Sequence, residues 1–322
     1  METYLGMDLG GTKLLIGEID QEGRILRSRE YPTGFKTQKE TLEHLLADLK
    51  NYREEIGFTG SIAAAGIGLL GTSDYRRGIW RSLGHLAGDN IPLGDILSRE
   101  LGVPAALDND VHSAATAELL WGHGRRTGDF IYLNVGTGLA AGIVADGRLI
   151  RGAHNISGEV GHMVLDLHSG DACACGRKGC CESVVSGMGF THQTLLLSPE
   201  YPDSPLELPE EGKRVDVRRI FELADRGDPL CVRMVENAAE TLACLILDLI
   251  RVSDPDTIVL GGGVVKSGWL LQKVNALLAQ QSIMDYVTGG VVLSDFAPGQ
   301  VGLIGAGAIA SVKLHGAQPR LL

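Results

Sequence analysis

The chain has 322 residues, of which 44% are hydrophobic and 21% charged, and its net charge is −11. A length beyond the usual single core makes two domains the default. The acidic balance, with no Lys/Arg cluster longer than pairs such as Arg125-Arg126, argues against a nucleic-acid partner.

Met1 to Leu9 has no basic region leading into an apolar core, and no apolar run reaches the roughly 18 residues of a membrane helix, so a cytoplasmic protein without a membrane partner is expected. Six cysteines in a chain this long, three of them clustered, fit a reduced compartment. Tyr4 to Leu9 has the pattern of a strand and runs through Asp8-Leu9-Gly10-Gly11-Thr12-Lys13 into a second apolar run, Leu14 to Ile19. Two strands joined by a glycine turn predict a hairpin. Paired glycines let backbone approach a phosphate, Thr12 can donate to its oxygens, and an Asp at the strand end can hold hydrated Mg²⁺. An ordinary Gly-Gly hairpin turn has the same sequence, so both readings stand.

A third strand is predicted over 25–31, and an amphipathic helix over 37–56 from the spacing of Leu42, Leu45, Leu46 and Leu49. A strand at 61–70, a loop, a short helix at 93–101 and a strand near 105–107 complete a mixed sheet, with antiparallel hairpin strands on one side and parallel crossovers on the other. Asp108-Asn109-Asp110 then stands where that strand hands over to a helix, Val111 to Trp121. Open α/β sheets place ligands at such carboxyl ends; capping of the helix by Asn109 or Asp110 is the alternative.

Phe130 to Val135, the turn Gly136-Thr137-Gly138 and the apolar run Leu139 to Val144 repeat the strand, glycine-threonine turn and strand of residues 4–19. That echo suggests two related halves, each with a phosphate-binding hairpin. Ser157 to Glu182 joins Glu159 and His162 to Cys173, Cys175 and Cys180. Three soft donors on turns made by Gly176 and Gly179 suit zinc, and His162 completes a closed Cys₃His tetrahedron, a structural site with no open position for water. Unpaired loop thiols are the alternative, and Cys181 is expected to be the spare. Ser198 to Arg214, rich in Pro, Glu and Ser, is read as an exposed loop with no core contribution. Helices follow at 215–226 and 230–252, the second a buried core helix. The buried strand Asp256 to Leu260 enters Gly261-Gly262-Gly263, with a helix expected from about 265 to 279; a glycine-rich turn at a helix amino terminus can accept a nucleotide's flat face or phosphate. A strand at 291–293 and an apolar helix at 300–314 end the series.

Taken in order, Asp-x-Gly-Gly-Thr-Lys, Asn-Asp, Gly-Thr-Gly, Gly-Glu-x-Gly-His, Cys-x-Cys-Gly-x-x-Gly-Cys and Leu-Gly-Gly-Gly-Val resemble the ROK family (repressors, open reading frames and kinases) over essentially the whole chain. The resemblance implies the actin-like, ribonuclease H-like ATPase fold, two α/β lobes around a central cleft. The N-terminal lobe would span 1–118, with the C-terminal helix at 300–322 packing back on it, and the lobe carrying the zinc segment would span 119–299. It also implies an ATP-dependent sugar kinase and a homodimer. On that pattern Asp8, Gly10, Gly11, Thr12 and Lys13 face the ATP phosphates and Mg²⁺, Gly136, Thr137 and Gly138 form the second phosphate hairpin, and Gly261, Gly262 and Gly263 lie against the adenosine. Asn109, Glu159, His162 and Glu182 bind sugar hydroxyls, and Asp110 binds the sugar and serves as general base. His162 would place one nitrogen on zinc and its other edge toward the sugar.

Family kinases usually carry Pro-Gly and Asn-Leu in the sugar loop, where this chain has Leu69-Leu70-Gly71 and Ser82-Leu83-Gly84-His85. The expected substrate is a hexose or N-acetylhexosamine. Family repressors carry a helix-turn-helix ahead of the first glycine motif, and the seven residues before Asp8 leave no room for one. A catalytically silent sugar-binding protein of the same family is the remaining alternative.

Overall fold

The computed structural model describes residues 1–34, 37–84, 86–166, 172–297 and 299–315. The chain forms two compact units. The first comprises Met1–Gly128, Asp146–Ser157 and the described residues from Asp295 on; the second comprises Asp129–Ala145 and Gly158–Ser294.

In the first unit, β1 (Glu2–Leu9), β2 (Lys13–Ile19) and β3 (Ile25–Pro32) pair antiparallel in succession. After α1 (Gln38–Glu55), β4 (Ser61–Leu69) returns parallel to β1. Next come β5 (Ser73–Asp74), β6 (Ile79–Leu83) and β7 (Leu86–Ile91), a separate antiparallel sheet, and then α2 (Leu93–Leu101). β8 (Ala105–Asn109) adds parallel to β4 and runs directly into α3 (Asp110–Trp121), giving the sheet order β3-β2-β1-β4-β8. Thr37 caps α1 by accepting the Glu40 N–H, and Leu45, Leu49 and Tyr52 on its inner face join Leu5, Met7 and Leu9 of β1 in one core. The sheet at 73–91 is a departure from the loop expected there. Its strands are too short and too rich in charge for alternation to show, yet Trp80 at its centre is fully buried.

The second unit opens with the hairpin β9 (Phe130–Val135) and β10 (Leu139–Ala145). The chain then passes through the first-unit segment 146–157, which holds β11 (Arg148–Leu149). On its return it forms α4 (Glu182–Val185), α5 (Gly187–Leu197), α6 (Val217–Asp225), α7 (Pro229–Ser253), β12 (Thr257–Gly261), α8 (Trp269–Leu278) and β13 (Gly290–Leu293). β12 lies parallel to both β9 and β13, so the order β10-β9-β12-β13 reproduces β2-β1-β4-β8 strand for strand and direction for direction. The sequence echo is a repeat of topology. α7 starts as its sequence dictates, with Asp228 accepting the Cys231 N–H and Pro229 in the first turn, and it buries Leu242, Leu245, Ile246 and Leu249.

Two expectations in this unit are corrected. α8 begins at Trp269 and not near 265, because Gly268 sits in the left-handed region at φ 74°; five residues separate Gly263 from the helix, so the glycine run is a turn at a strand end and not a helix amino terminus. Residues 198–214 hold only one short helical turn, yet Leu206 is buried in the core with Phe190 and Phe221, so the segment does contribute to packing.

From Asp295 the chain belongs again to the first unit, where α9 (Val301–His315) packs on α3, β1 and β4. Small residues permit that approach: a Cβ on Gly66 of β4 would lie 2.0 Å from Ala306 O. No helix among the described residues is long and apolar enough to cross a membrane.

Candidate active site and metal centre

The carboxyl ends of β1 and β8, with β4 between them, carry Asp8 and Asp108. Asp8 is in register with Gly68, and Gly68 with Asp108, so the row across the sheet is acid, glycine, acid. Asp110 opens α3 and is exposed, while Asn109 is the N-cap, its Oδ1 accepting the His112 N–H at 2.6 Å. Capping therefore falls on Asn109, whose amide NH₂ stays available to a ligand. Burial first, and then the charge of Asp110, push the Asp8 carboxyl up to about 6, against the pull of Lys13. A buried carboxylate whose ionisation a neighbouring acid opposes fits a divalent cation, which relieves both burial and repulsion. The turn Gly10-Gly11-Thr12 is braced by Thr33, whose N–H donates to Thr12 O at 3.1 Å and whose hydroxyl donates to Gly10 O at 3.1 Å. Lys13 Nζ lies 3.0 Å from Glu30 Oε2 in an exposed pair.

Next to these residues lies a polar network that the sequence reading did not single out. Asp108 is buried; its Oδ1 accepts the Asn109 N–H and Asn155 Nδ2, each at 2.9 Å, and its Oδ2 accepts Arg151 Nε at 2.7 Å. His112 Nδ1 is 3.4 Å from Asp108 Oδ1, and its Nε2 is 2.9 Å from Ser157 O. Burial works to raise the Asp108 carboxyl, but His112 and Arg151 together hold it below the usual carboxylate range. Asn155 also donates to Ser73 Oγ at 3.0 Å, and the Arg151 guanidinium lies over the Tyr75 ring, 4.6 Å from its centroid. The signal available beforehand was three acidic or amide residues in a row, Asp108-Asn109-Asp110; the distant Arg151 and Asn155 carry no local pattern that pairs them with Asp108.

In the segment that departs from the family's sugar-loop pattern, Gly71 packs on the backbone of Ser82: its φ is 106°, and a Cβ there would lie 2.2 Å from Ser82 O. The Ser82 hydroxyl sits 2.7 Å from that of Thr72. His85 lies outside the described residues.

The second unit groups its two glycine signals at one end of its sheet. Gly261 of β12 is in register with Asn134 of β9, and the Asn134 side chain lies beside both Gly136 and Gly262. Gly262, at φ 95°, approaches so closely that a Cβ would lie 2.4 Å from Val135 O. Glu182 accepts the Leu139 N–H at 2.8 Å and backs onto Gly138, so its carboxylate anchors the Gly136-Thr137-Gly138 turn. Arg214 donates to Thr137 Oγ1 from the segment read as a plain loop. Glu159 and His162 follow Gly158, which is clipped to β10 by the bond from Ala141 N–H to Gly158 O at 2.8 Å; the Glu159 carboxylate is 3.9 Å from His162 Nε2 and half exposed.

His162, Cys173, Cys175 and Cys180 present one ligand atom each, all within 4.8 Å of one another. Cys173 Sγ is 3.4 Å from His162 Nδ1, and Cys175 Sγ is 3.6 Å from Cys180 Sγ. Ligand atoms around tetrahedral zinc stand about 3.5 to 3.8 Å apart, so the donor set fits. Backbone bonds build the knot: Cys173 N–H to Arg177 O, Gly176 N–H to Cys173 O, and Leu165 N–H to Gly179 O. Without a cation the Cys180 thiol is pushed up to about 12, by burial and then by Cys175 and Cys173, which is the condition a metal relieves. Cys181 stands apart, as expected of a spare; it is buried with Sγ 3.2 Å from both Val160 O and Gly161 O.

Comparison with known proteins now gives this geometry a family. Residues 4–313 match the ROK family. The N-acetylmannosamine kinase of Escherichia coli O9:H4 (strain HS) is 31% identical over 312 residues, 96% of this chain and 98% of that protein. A ROK family transcriptional regulator, a homolog of the E. coli MLC protein, has a solved structure similar to this one at a TM-score of 0.85 and 27% identity, covering 98% of this chain and 79% of that one. A ROK family glucokinase from Streptomyces griseus, solved in complex with glucose and AMPPNP, gives a TM-score of 0.75 at 28% identity, covering 96% and 99%. Mixed α/β architecture in two lobes, the actin-like ATPase fold expected from the sequence, is the fold these neighbours share with it. The chain belongs to the ROK family.

Proposed function

We propose that the protein is a ROK sugar kinase that transfers the γ-phosphate of ATP to a hydroxyl of a hexose or N-acetylhexosamine. The observation that carries this reading is the exposed Asp110 carboxylate at the start of α3, close enough to Asp8 to raise its pKa, in a chain of this family. Asp110 takes the hydroxyl proton as general base, and Asn109, fixed as N-cap, donates its amide to a neighbouring sugar oxygen. Asp8 holds Mg²⁺, and the turns Gly10-Gly11-Thr12 and Gly136-Thr137-Gly138 offer backbone N–H groups to the phosphates, with Gly261-Gly262-Gly263 against the adenosine. Glu159, His162 and Glu182 bind sugar hydroxyls. Zinc on His162, Cys173, Cys175 and Cys180 supplies charge that lets three thiolates share one point, and it fixes the imidazole ring of His162.

Glucose and N-acetylmannosamine are the first substrates to try, because relatives named for them align over nearly the whole chain. The second reading is a sugar-binding protein of the same family without catalysis, favoured by the likeness to the transcriptional regulator and by the altered sugar loop. ADP release from ATP and Mg²⁺ against a panel of hexoses and N-acetylhexosamines separates the two. Sugar-dependent ADP formation supports the kinase; sugar binding by calorimetry with no ADP formed for any member supports the alternative.

A further inference from the structure

One carboxylate, Asp108, connects three parts of the first unit. Its Oδ1 sets the Asn109 amide and faces His112 Nδ1, so it orients the turn that carries the proposed base. Its Oδ2 holds Arg151, which lies over Tyr75 beyond β5, and its partner Asn155 also holds Ser73 of β5. The hairpin gripped in this way ends on Ser82 and Leu83, two of the residues that depart from the family's sugar-loop pattern, and the Ser82 hydroxyl lies 2.7 Å from that of Thr72 just before β5.

The arrangement is a poor device for stability alone. A buried ion pair gains little over apolar residues of similar volume, and the Asp108 and Arg151 side chains are only 2% and 13% exposed. Asn155 adopts a left-handed backbone at φ 62°, and its buried Oδ1 has no hydrogen-bond partner among the described residues. What these costs secure is fixed geometry between a turn and a hairpin.

We propose that the Asp108–Arg151 pair, with Asn155 and Tyr75, is a positioning device that holds the β5–β6 hairpin against the Asn109–Asp110 turn and so sets which sugar the site accepts. This inference rests on the kinase reading and names residues beyond it. Arg151, Asn155 and Tyr75 act through the hairpin and not on the reacting atoms.

The test uses Arg151→Met, which keeps an unbranched stem about as far as Nε and removes the charged guanidinium, and Tyr75→Leu, which releases the hairpin but leaves the ion pair. Sugar KM, ATP KM and the ratio of kcat/KM for glucose over N-acetylmannosamine are measured with thermal midpoints. Arg151→Met is expected to raise sugar KM about tenfold, to leave ATP KM within about twofold and to change the sugar ratio at least about fivefold. Tyr75→Leu should move the ratio in the same direction with its midpoint near that of the wild type, and it decides the matter if Arg151→Met fails to fold. A merely structural network would lower midpoints and leave sugar KM and the ratio unchanged; that result in Tyr75→Leu, or in a folded Arg151→Met, overturns the proposal. Wild-type protein assayed alongside separates the two failures: no turnover of any sugar by the wild type overturns the kinase reading and this inference with it.

Discussion

A Cβ on Gly302 would lie 2.2 Å from Asp8 Oδ2 and 2.5 Å from its Cγ, so the first turn of α9 rests on this carboxylate only because residue 302 has no side chain. The contact ties the last helix of the chain to the first glycine motif. It also presents the partly positive amino end of α9 to Asp8.

Gly302→Ala should therefore displace either α9 or the Asp8 carboxylate. The expected result is a thermal midpoint several degrees lower and a rise in the KM for MgATP of about tenfold, with sugar KM changed much less. Steady-state kinetics with each substrate varied in turn checks the split; an unchanged MgATP KM would detach Asp8 from the nucleotide.

Asp8 also gives a signed dependence on pH. Its carboxyl is raised from 3.8 to about 6 by burial and then by Asp110, so the folded state binds this proton more tightly than the unfolded chain. Stability from this group is full below about 4 and is lost as pH rises through 6, after which the ionised carboxylate costs about 1 to 3 kcal/mol. Asp8→Asn should then melt above the wild type at pH 7 to 8 in metal-free buffer and lose that advantage below pH 4. Added Mg²⁺ should raise the wild-type midpoint and not that of the variant. Parallel melting curves at every pH would remove burial of Asp8 from the account.

The sequence made the repeating parts legible and the long-range parts not. Hairpins, glycine turns and the Cys-x-Cys segment each declare themselves within a few residues, because turn chemistry and metal spacing are local. Asp108, Arg151 and Asn155 meet only after the chain has closed its first sheet, left for β9 and β10, and come back. The small sheet around Trp80 was hidden because Asp74, Arg76, Arg77 and Arg81 break any apolar alternation, and Leu206 because one leucine in a polar run carries no period. Glu182 shows a different limit: its family pattern suggested a sugar contact, and the fold adds a backbone bond to Leu139.

The metal centre predicts about one zinc per chain by elemental analysis of purified protein, as a single closed tetrahedral site requires. Cys175→Ser should lose zinc and weaken sugar binding, because His162 sits in the same cluster. Metal-free protein with full sugar affinity would contradict both the site and its role.

Glu159→Gln keeps the volume of the side chain and exchanges a charged acceptor for a neutral amide. A charge-assisted hydrogen bond of roughly 1.5 to 3 kcal/mol would be weakened, so sugar KM should rise while ATP KM stays nearly fixed. A rise in ATP KM in place of sugar KM would place Glu159 on the nucleotide.

As the proposed general base, Asp110 accepts the proton of a sugar hydroxyl during phosphoryl transfer, and Asp110→Asn tests this with the shape of the α3 amino terminus kept. ADP formation with the best hexose should fall by about 10² or more, while the affinities for sugar and for a non-hydrolysable ATP analogue stay near wild type. Turnover close to wild type in a folded Asp110→Asn protein would contradict it, leaving Asp110 as a helix-start residue and the chemistry to another group.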